Sequence, residues 1–203
     1  MESSESVDVE VYKYSVNTWL PVLKSVYRVL SSEYTLVIVG SQVLYLTLGE
    51  PVETKNIDLL IEDYNPVRVA DLISRALNLE ELRYEVFKAR DGNLMTHVFV
   101  PLTIGVLAVE VMSRLQLGRI SFSPLADEIL HVNIDDFNCI TLTPEAYALL
   151  QATRPGGFRV VDVERFRRVR DRVNWGRVVE LARAYNAIGL VLDFIRAVGV
   201  AIG

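Results

Sequence analysis

The side chains best placed for chemistry lie in the stretch GSQVLYLTLGEPVETKNIDLLI, residues 40–61. Gly40 has no Cβ, so a ligand or a neighbouring group can approach its backbone closely. Gly40-Ser41 opens a short helix, and the amides and hydroxyl at such an end favour an anion such as a triphosphate. Beyond the helix, Asn56 and Asp58 stand two residues apart in an apolar strand. That spacing puts both on one face, about 7 Å apart along the chain. Two carboxylates so spaced could converge on one divalent cation that bridges a triphosphate and an attacking oxygen. Here only Asp58 is an acid, and Asn56 offers a neutral amide. Glu110 interrupts the apolar run VLAVEV of residues 106–111. Burying it without a partner is costly, so by itself it reads as a strand-end residue in water or paired with Arg114.

Other reactive side chains carry less. His97 and His131 have no second histidine at ligand spacing and read as ordinary strand or loop residues. Cys139 is the sole cysteine, which excludes an internal disulfide and a four-thiolate zinc site. Ser41 lacks the Gly-x-Ser-x-Gly setting of a hydrolase nucleophile. Residues 154–172 carry seven arginines. On a helix Arg165, Arg168 and Arg172 share one face, while Phe166, Val169 and Val173 form the apolar one. The stripe reads either as a solvated face paired with Glu164 and Asp171, or as a contact for RNA or triphosphate. No interleaved aromatics support stacking on single strands.

Positioning these residues requires a definite order of elements. Trp19, Val22, Leu23, Val26, Tyr27 and Leu30 recur at helical spacing and predict a helix over 15–30. Residues 35–39 (TLVIV) predict a buried strand. Gln42–Leu48 predicts a short helix closed by Gly49 as C-cap, with Pro51 barring continuation. A second buried strand is predicted over 55–62, and Asn65-Pro66 starts another helix. Strands are expected over 82–88, 95–100 and 104–112, with a turn at Asp91-Gly92. Residues 118–138 suggest loops and short strands. Thr143-Pro144-Glu145 is a helix start, Arg154-Pro155-Gly156-Gly157 a break, and two helices are expected over 162–173 and 175–200. The expected organisation is an α/β domain over 1–138 and a helical subdomain over 139–203 packed on it.

Bulk properties narrow the class. A hydrophobic fraction of 51% promises a sizeable core. No apolar run approaches the roughly 18 residues that span a bilayer, so no membrane partner is expected. The N-terminal MESSESVDVE is acidic, frayed in appearance and unlike a targeting peptide, which points to the cytoplasm. A net charge of −5 excludes a generic nucleic-acid binder.

Strand, Gly-Ser, short helix, G-x-P turn and acid-bearing strand together resemble the polymerase-β-like nucleotidyltransferase superfamily, nearest to its minimal and abortive-infection-type members. The motif residues are Gly40-Ser41, Gly49-Glu50-Pro51, Thr54 and Lys55-Asn56-Ile57-Asp58-Leu59. Weaker likeness continues through Leu142-Thr143-Pro144-Glu145, Arg159-Val160-Val161-Asp162 and Asn174-Trp175. Gln151 and Val161 stand where that pattern has lysines. The resemblance implies an α/β (α+β) fold, a mixed sheet flanked by helices with a helical C-terminal part. It implies transfer of a nucleoside monophosphate from a nucleoside triphosphate to a hydroxyl, with Mg²⁺ or Mn²⁺ held by Asp58, Glu110 and Asn56. Gly40 and Ser41 are then the phosphate contacts, and Glu110 the third acid of the pattern.

Asn56 stands where the family's first aspartate belongs. An amide keeps an oxygen but removes a charge, which weakens cation binding and activation of the acceptor oxygen. Glu62 cannot replace it, lying about 13 Å from Asp58 along a regular strand, and Glu53 or Asp63 could do so only by folding back. Two readings therefore stand side by side: an active transferase acting on protein, RNA or a small molecule, and an inactive nucleotide-binding or regulatory module. A homodimer or an antitoxin-like partner fits either. A third reading is an α/β domain whose motif is accidental.

Overall fold

Helix α1 (Val16–Leu30) forms where the apolar spacing predicts, burying Trp19, Leu23, Val26 and Leu30. The chain is described by a computed structural model at residues 12–88, 93–117, 120–122 and 128–201. The N-terminal acidic segment, the Asp91-Gly92 turn and parts of 118–138 lie outside the described residues. Strand β1 is Val37–Ile38, shorter than the TLVIV run, although Val39 N still donates to the Asp58 carbonyl at 3.0 Å. Helix α2 (Gln42–Leu48) ends at Gly49, whose φ of 67° is left-handed and suits glycine. Strand β2 (Asn56–Leu60) and helix α3 (Pro66–Ala76) follow, and the Asn65 side chain caps α3 by accepting from Arg68 N.

Strands β3 (Arg83–Lys88), β4 (Leu94–Pro101) and β5 (Val106–Met112) form a meander. Strands β6 (Leu115–Leu117) and β7 (Ile120–Phe122) pair separately as a two-stranded ribbon. Strands β8 (Ile129–Ile134) and β9 (Phe137–Leu142) complete the main sheet. Its order is β3-β4-β5-β2-β1-β9-β8, with β2 parallel to β5, β1 parallel to β9 and the other pairs antiparallel. The sequence did not mark β9 as a strand; it runs across residue 138 and alternates buried Phe137, Cys139 and Thr141 with more exposed neighbours.

The C-terminal helices are α4 (Pro144–Ala152), α5 (Val160–Val169), α6 (Trp175–Ala184) and α7 (Ile188–Val198). Thr143 caps α4 through Ala146 N, as its place before Pro144 predicts. The helix expected over 162–173 begins earlier and ends in a 3₁₀ turn, Arg170–Arg172. The single helix expected over 175–200 is two. Asn186 adopts φ 54° between them, and asparagine tolerates that left-handed position better than other non-glycine residues. One continuous core joins the sheet to these helices, with Trp19, Phe137, Phe166 and Phe194 fully buried. Among the described residues no helix is long and apolar enough to cross a membrane.

Candidate functional site

Strand alternation sets the site. Ile57 and Leu59 are fully buried, and the intervening Asn56 and Asp58 occupy the other face. Because β2 and β5 are parallel and in register, Asp58 lies directly opposite Glu110, and Asn56 opposite Ala108. The sheet thus joins carboxylates that are far apart in sequence. The same row continues to His97 on β4, and to Glu85 on β3. His97 packs against Phe87 at 5.0 Å between ring centroids, and its Nε2 is buried without a hydrogen-bond partner. His131 lies on edge strand β8, away from this row.

The turn at Gly40 is closed against Asp58. A Cβ at Gly40 would stand 2.2 Å from Asp58 Oδ2 and 2.4 Å from Gln42 Oε1, so only glycine fits. Gln42 is fully buried: its Nε2 donates to the Asn56 carbonyl at 2.6 Å, while its Oε1 has no partner. Thr54 Oγ1 donates to the same carbonyl at 2.8 Å. Ser41 is buried, its hydroxyl donating to Thr54 Oγ1 at 3.3 Å. Asn56 Nδ2 donates to Asp58 Oδ1 at 2.8 Å. The loop carrying these groups is held from outside. Residues Tyr14 and Thr54 exchange two backbone hydrogen bonds, and Trp19 Nε1 donates to the Val52 carbonyl at 3.0 Å.

Burial and the adjoining Glu110 carboxylate, with which it shares a hydrogen bond, push the Asp58 carboxyl up to about 7. Arg154 and Arg159 oppose that rise but do not cancel it. Two acids pressed together, their charge only partly offset by these arginines, form a place that a cation would relieve. Mg²⁺ is characteristically held by one or two carboxylates together with substrate phosphates. The hard oxygen donors of Asp58 and Glu110 fit that description. Among the described residues no group of three His, Cys, Asp or Glu side chains is arranged to hold a metal. A dedicated all-protein cage is therefore not what these residues form.

These groups line a cleft of about 620 Å³ between the sheet and the C-terminal helices. Gly40, Ser41, Asn56, Asp58 and Glu110 all lie in its wall. Lys13, Lys55, Arg114 and Arg154 line it too, and none of the four has a carboxylate partner among the described residues. Arg114 does not pair with Glu110, which is partly exposed near the end of β5. Sequence reasoning did not assemble this cationic rim. Lys13, Lys55 and Arg114 are isolated in the chain, and only the fold brings them together.

Among the described residues the arginine stripe pairs with Glu50 rather than with Glu164 and Asp171. Arg168 pairs with Glu50 at 2.9 Å and Arg172 with Glu50 at 2.8 Å. Arg172 also donates to the Leu48 carbonyl, and Arg165 to the Glu53 carbonyl at 2.6 Å. Arg159 grips the buried Asp162 through two hydrogen bonds, at 2.7 and 2.9 Å. The stripe therefore straps α5 to the loop between α2 and β2. Cys139 is buried, which pushes its thiol up to about 12 and leaves it inert at neutral pH.

The chain shares its fold, a seven-stranded mixed sheet flanked by helices, with solved structures. A Helicobacter pylori crystal structure described as a candidate nucleotidyltransferase superposes with a TM-score of 0.53 at 13% identity, covering 87% of this chain and 81% of that one. The crystal structure of JHP933 from Helicobacter pylori superposes with a TM-score of 0.52 at 12% identity, covering 87% and 78%. At such identities the likeness speaks to fold alone. No protein-family model matches the sequence, and no curated protein matches it.

Proposed function

We propose that this protein is a divalent-cation-dependent nucleotidyltransferase of the minimal, abortive-infection-like kind. It moves a nucleoside monophosphate from a nucleoside triphosphate to an acceptor hydroxyl on RNA, protein or a small molecule. The observation that carries this reading is the in-register pair Asp58 and Glu110 inside a cleft rimmed by four cations with no carboxylate partner among the described residues. Mg²⁺ or Mn²⁺, held by Asp58 and Glu110 with Asn56 beside them, would neutralise phosphate charge and polarise the reacting oxygens.

The chain's own groups account for the rest. Lys13, Lys55, Arg114 and Arg154 hold the triphosphate, and charge-assisted contacts of this kind are worth about 1.5–3 kcal/mol each. The Gly40-Ser41 turn admits phosphate oxygens close to the backbone. Glu110 accepts the acceptor hydroxyl's proton. As the acceptor oxygen bonds to the α-phosphorus, the bond from that phosphorus to the β-phosphate oxygen breaks and pyrophosphate leaves. Positioning and charge neutralisation supply most of the acceleration.

One observation favours a second reading. Asn56 adds no charge and spends its N–H on Asp58, which suits a module that binds nucleotide without turning it over. Incubating the protein with each α-³²P-labelled nucleoside triphosphate, Mg²⁺ or Mn²⁺, and RNA, protein and small-molecule acceptors separates the two. Label transfer that Asp58→Asn and Glu110→Gln abolish supports the transferase. Tight nucleotide binding without transfer under any condition supports the silent module.

A further inference from the structure

The two oxygens of Asp58 are not equivalent. Oδ2 lies against Gly40, and Oδ1 accepts the Asn56 N–H at 2.8 Å. In a two-cation site the ions stand about 3.5–4 Å apart, and a carboxylate shared between them must offer one oxygen to each. Here an N–H points at Oδ1, where a second ion would bind. Ligation through the Asn56 amide oxygen would first break that hydrogen bond, and it would bring no negative charge to a second ion. Nor is the strand free to shift the side chain away. The Asn56 carbonyl is pinned by both Gln42 Nε2 and Thr54 Oγ1. Its cross-strand neighbour, Ala108, has no side-chain donor oxygen to add.

Positive charge nevertheless reaches the same place from the protein. Arg154 lines the cleft, and among the described residues its one side-chain hydrogen bond runs to the neutral Gln151 Oε1, at 3.3 Å. Its charge acts on Asp58. A guanidinium with no carboxylate partner among the described residues is available to a phosphate. We infer that this cleft takes a single divalent cation, between Asp58 and Glu110, and that Arg154 supplies the triphosphate with the charge a second cation would bring. The inference rests on the nucleotidyltransferase reading and departs from a two-ion arrangement at one residue, Asn56.

The test counts ions and does not depend on turnover. Mn²⁺ is titrated into the full chain with a saturating α,β-methylene nucleoside triphosphate analogue, free Mn²⁺ is read by electron paramagnetic resonance, and the analogue alone is the blank. The expected count is one Mn²⁺ per complex in the wild type and two in Asn56→Asp. Arg154→Gln should keep a count of one and weaken analogue binding roughly tenfold, the loss of one charge-assisted hydrogen bond. A wild-type count of two overturns the inference and leaves the transferase reading standing; this arm decides whatever the stability of the variants. A count of one in Asn56→Asp also overturns it, since Asn56 would then not be what limits the site. If neither Mn²⁺ nor analogue binds to the wild type or to Asn56→Asp, the inference and the reading beneath it fall together.

Discussion

Gly40 shows how one missing methyl group can decide a site. Replacing it with alanine drives a Cβ into Asp58 Oδ2 and Gln42 Oε1, and the carboxylate must move. Gly40→Ala should cost about 1–3 kcal/mol in urea unfolding, the usual penalty of overpacking. It should also weaken Mn²⁺ binding, measured by calorimetry, far more than that stability loss would suggest. Asp58 gives a second expectation. Its folded carboxyl is raised to about 7, above its unfolded value of 3.8. Between those two values the folded chain keeps a proton that the unfolded chain has lost, so stability falls as pH rises. The melting temperature of metal-free protein should therefore drop from pH 5 to pH 7.5 by more than that of Asp58→Asn. Adding Mn²⁺ should recover the loss for the wild type alone. A pH profile identical in the two proteins would contradict this account of Asp58.

At the scale of elements, the C-terminal helices are the lid of the cleft, and α5 is tied down at Glu50. Glu50 is mostly shielded and receives both Arg168 and Arg172, although the arginines themselves are largely exposed. Exposed ion pairs contribute little to stability. Glu50→Gln should accordingly change unfolding free energy by no more than about 1 kcal/mol, yet weaken nucleotide binding, because Arg159 and Arg165 ride on the same strapped segment and line the cleft. Phe166 is the inner counterpart of the strap. It is fully buried and meets Tyr147, Trp175 and Phe194 within 6 Å between ring centroids. Phe166→Ala should cost about 3–5 kcal/mol, read by chemical denaturation. Most elements were legible from the chain because local rules dominate them. Thr143 and Asn65 cap helices where their neighbours predict, and Gly49 closes α2. The misses have tertiary causes. Strand β9 is recognisable mainly by its pairing with β8 and β1, and α6 and α7 separate at Asn186, whose left-handed turn the apolar periodicity does not reveal.

For the whole molecule, an acidic chain concentrates unpaired cations in one place. The net charge is −5, yet Lys13, Lys55, Arg114 and Arg154 meet around Asp58 and Glu110 without carboxylate partners among the described residues. Asp58 and Asn56 could be picked out from their two-residue spacing, and Glu110 through a family resemblance. The rim could not, because its members come from the N-terminal segment, the residue before β2, the link from β5 to β6 and the turn after α4. Cys139 serves as a probe of the whole fold. With its thiol buried and raised to about 12, modification by a thiol reagent should follow global unfolding and slow when nucleotide and Mn²⁺ bind. The most direct measurement is an anomalous difference map from crystals grown with Mn²⁺ and a non-hydrolysable nucleoside triphosphate. The account predicts one manganese peak within about 2.2 Å of oxygens from both Asp58 and Glu110, with the triphosphate reaching Arg154. Nucleotide bound elsewhere, or no peak between those two carboxylates, would contradict it.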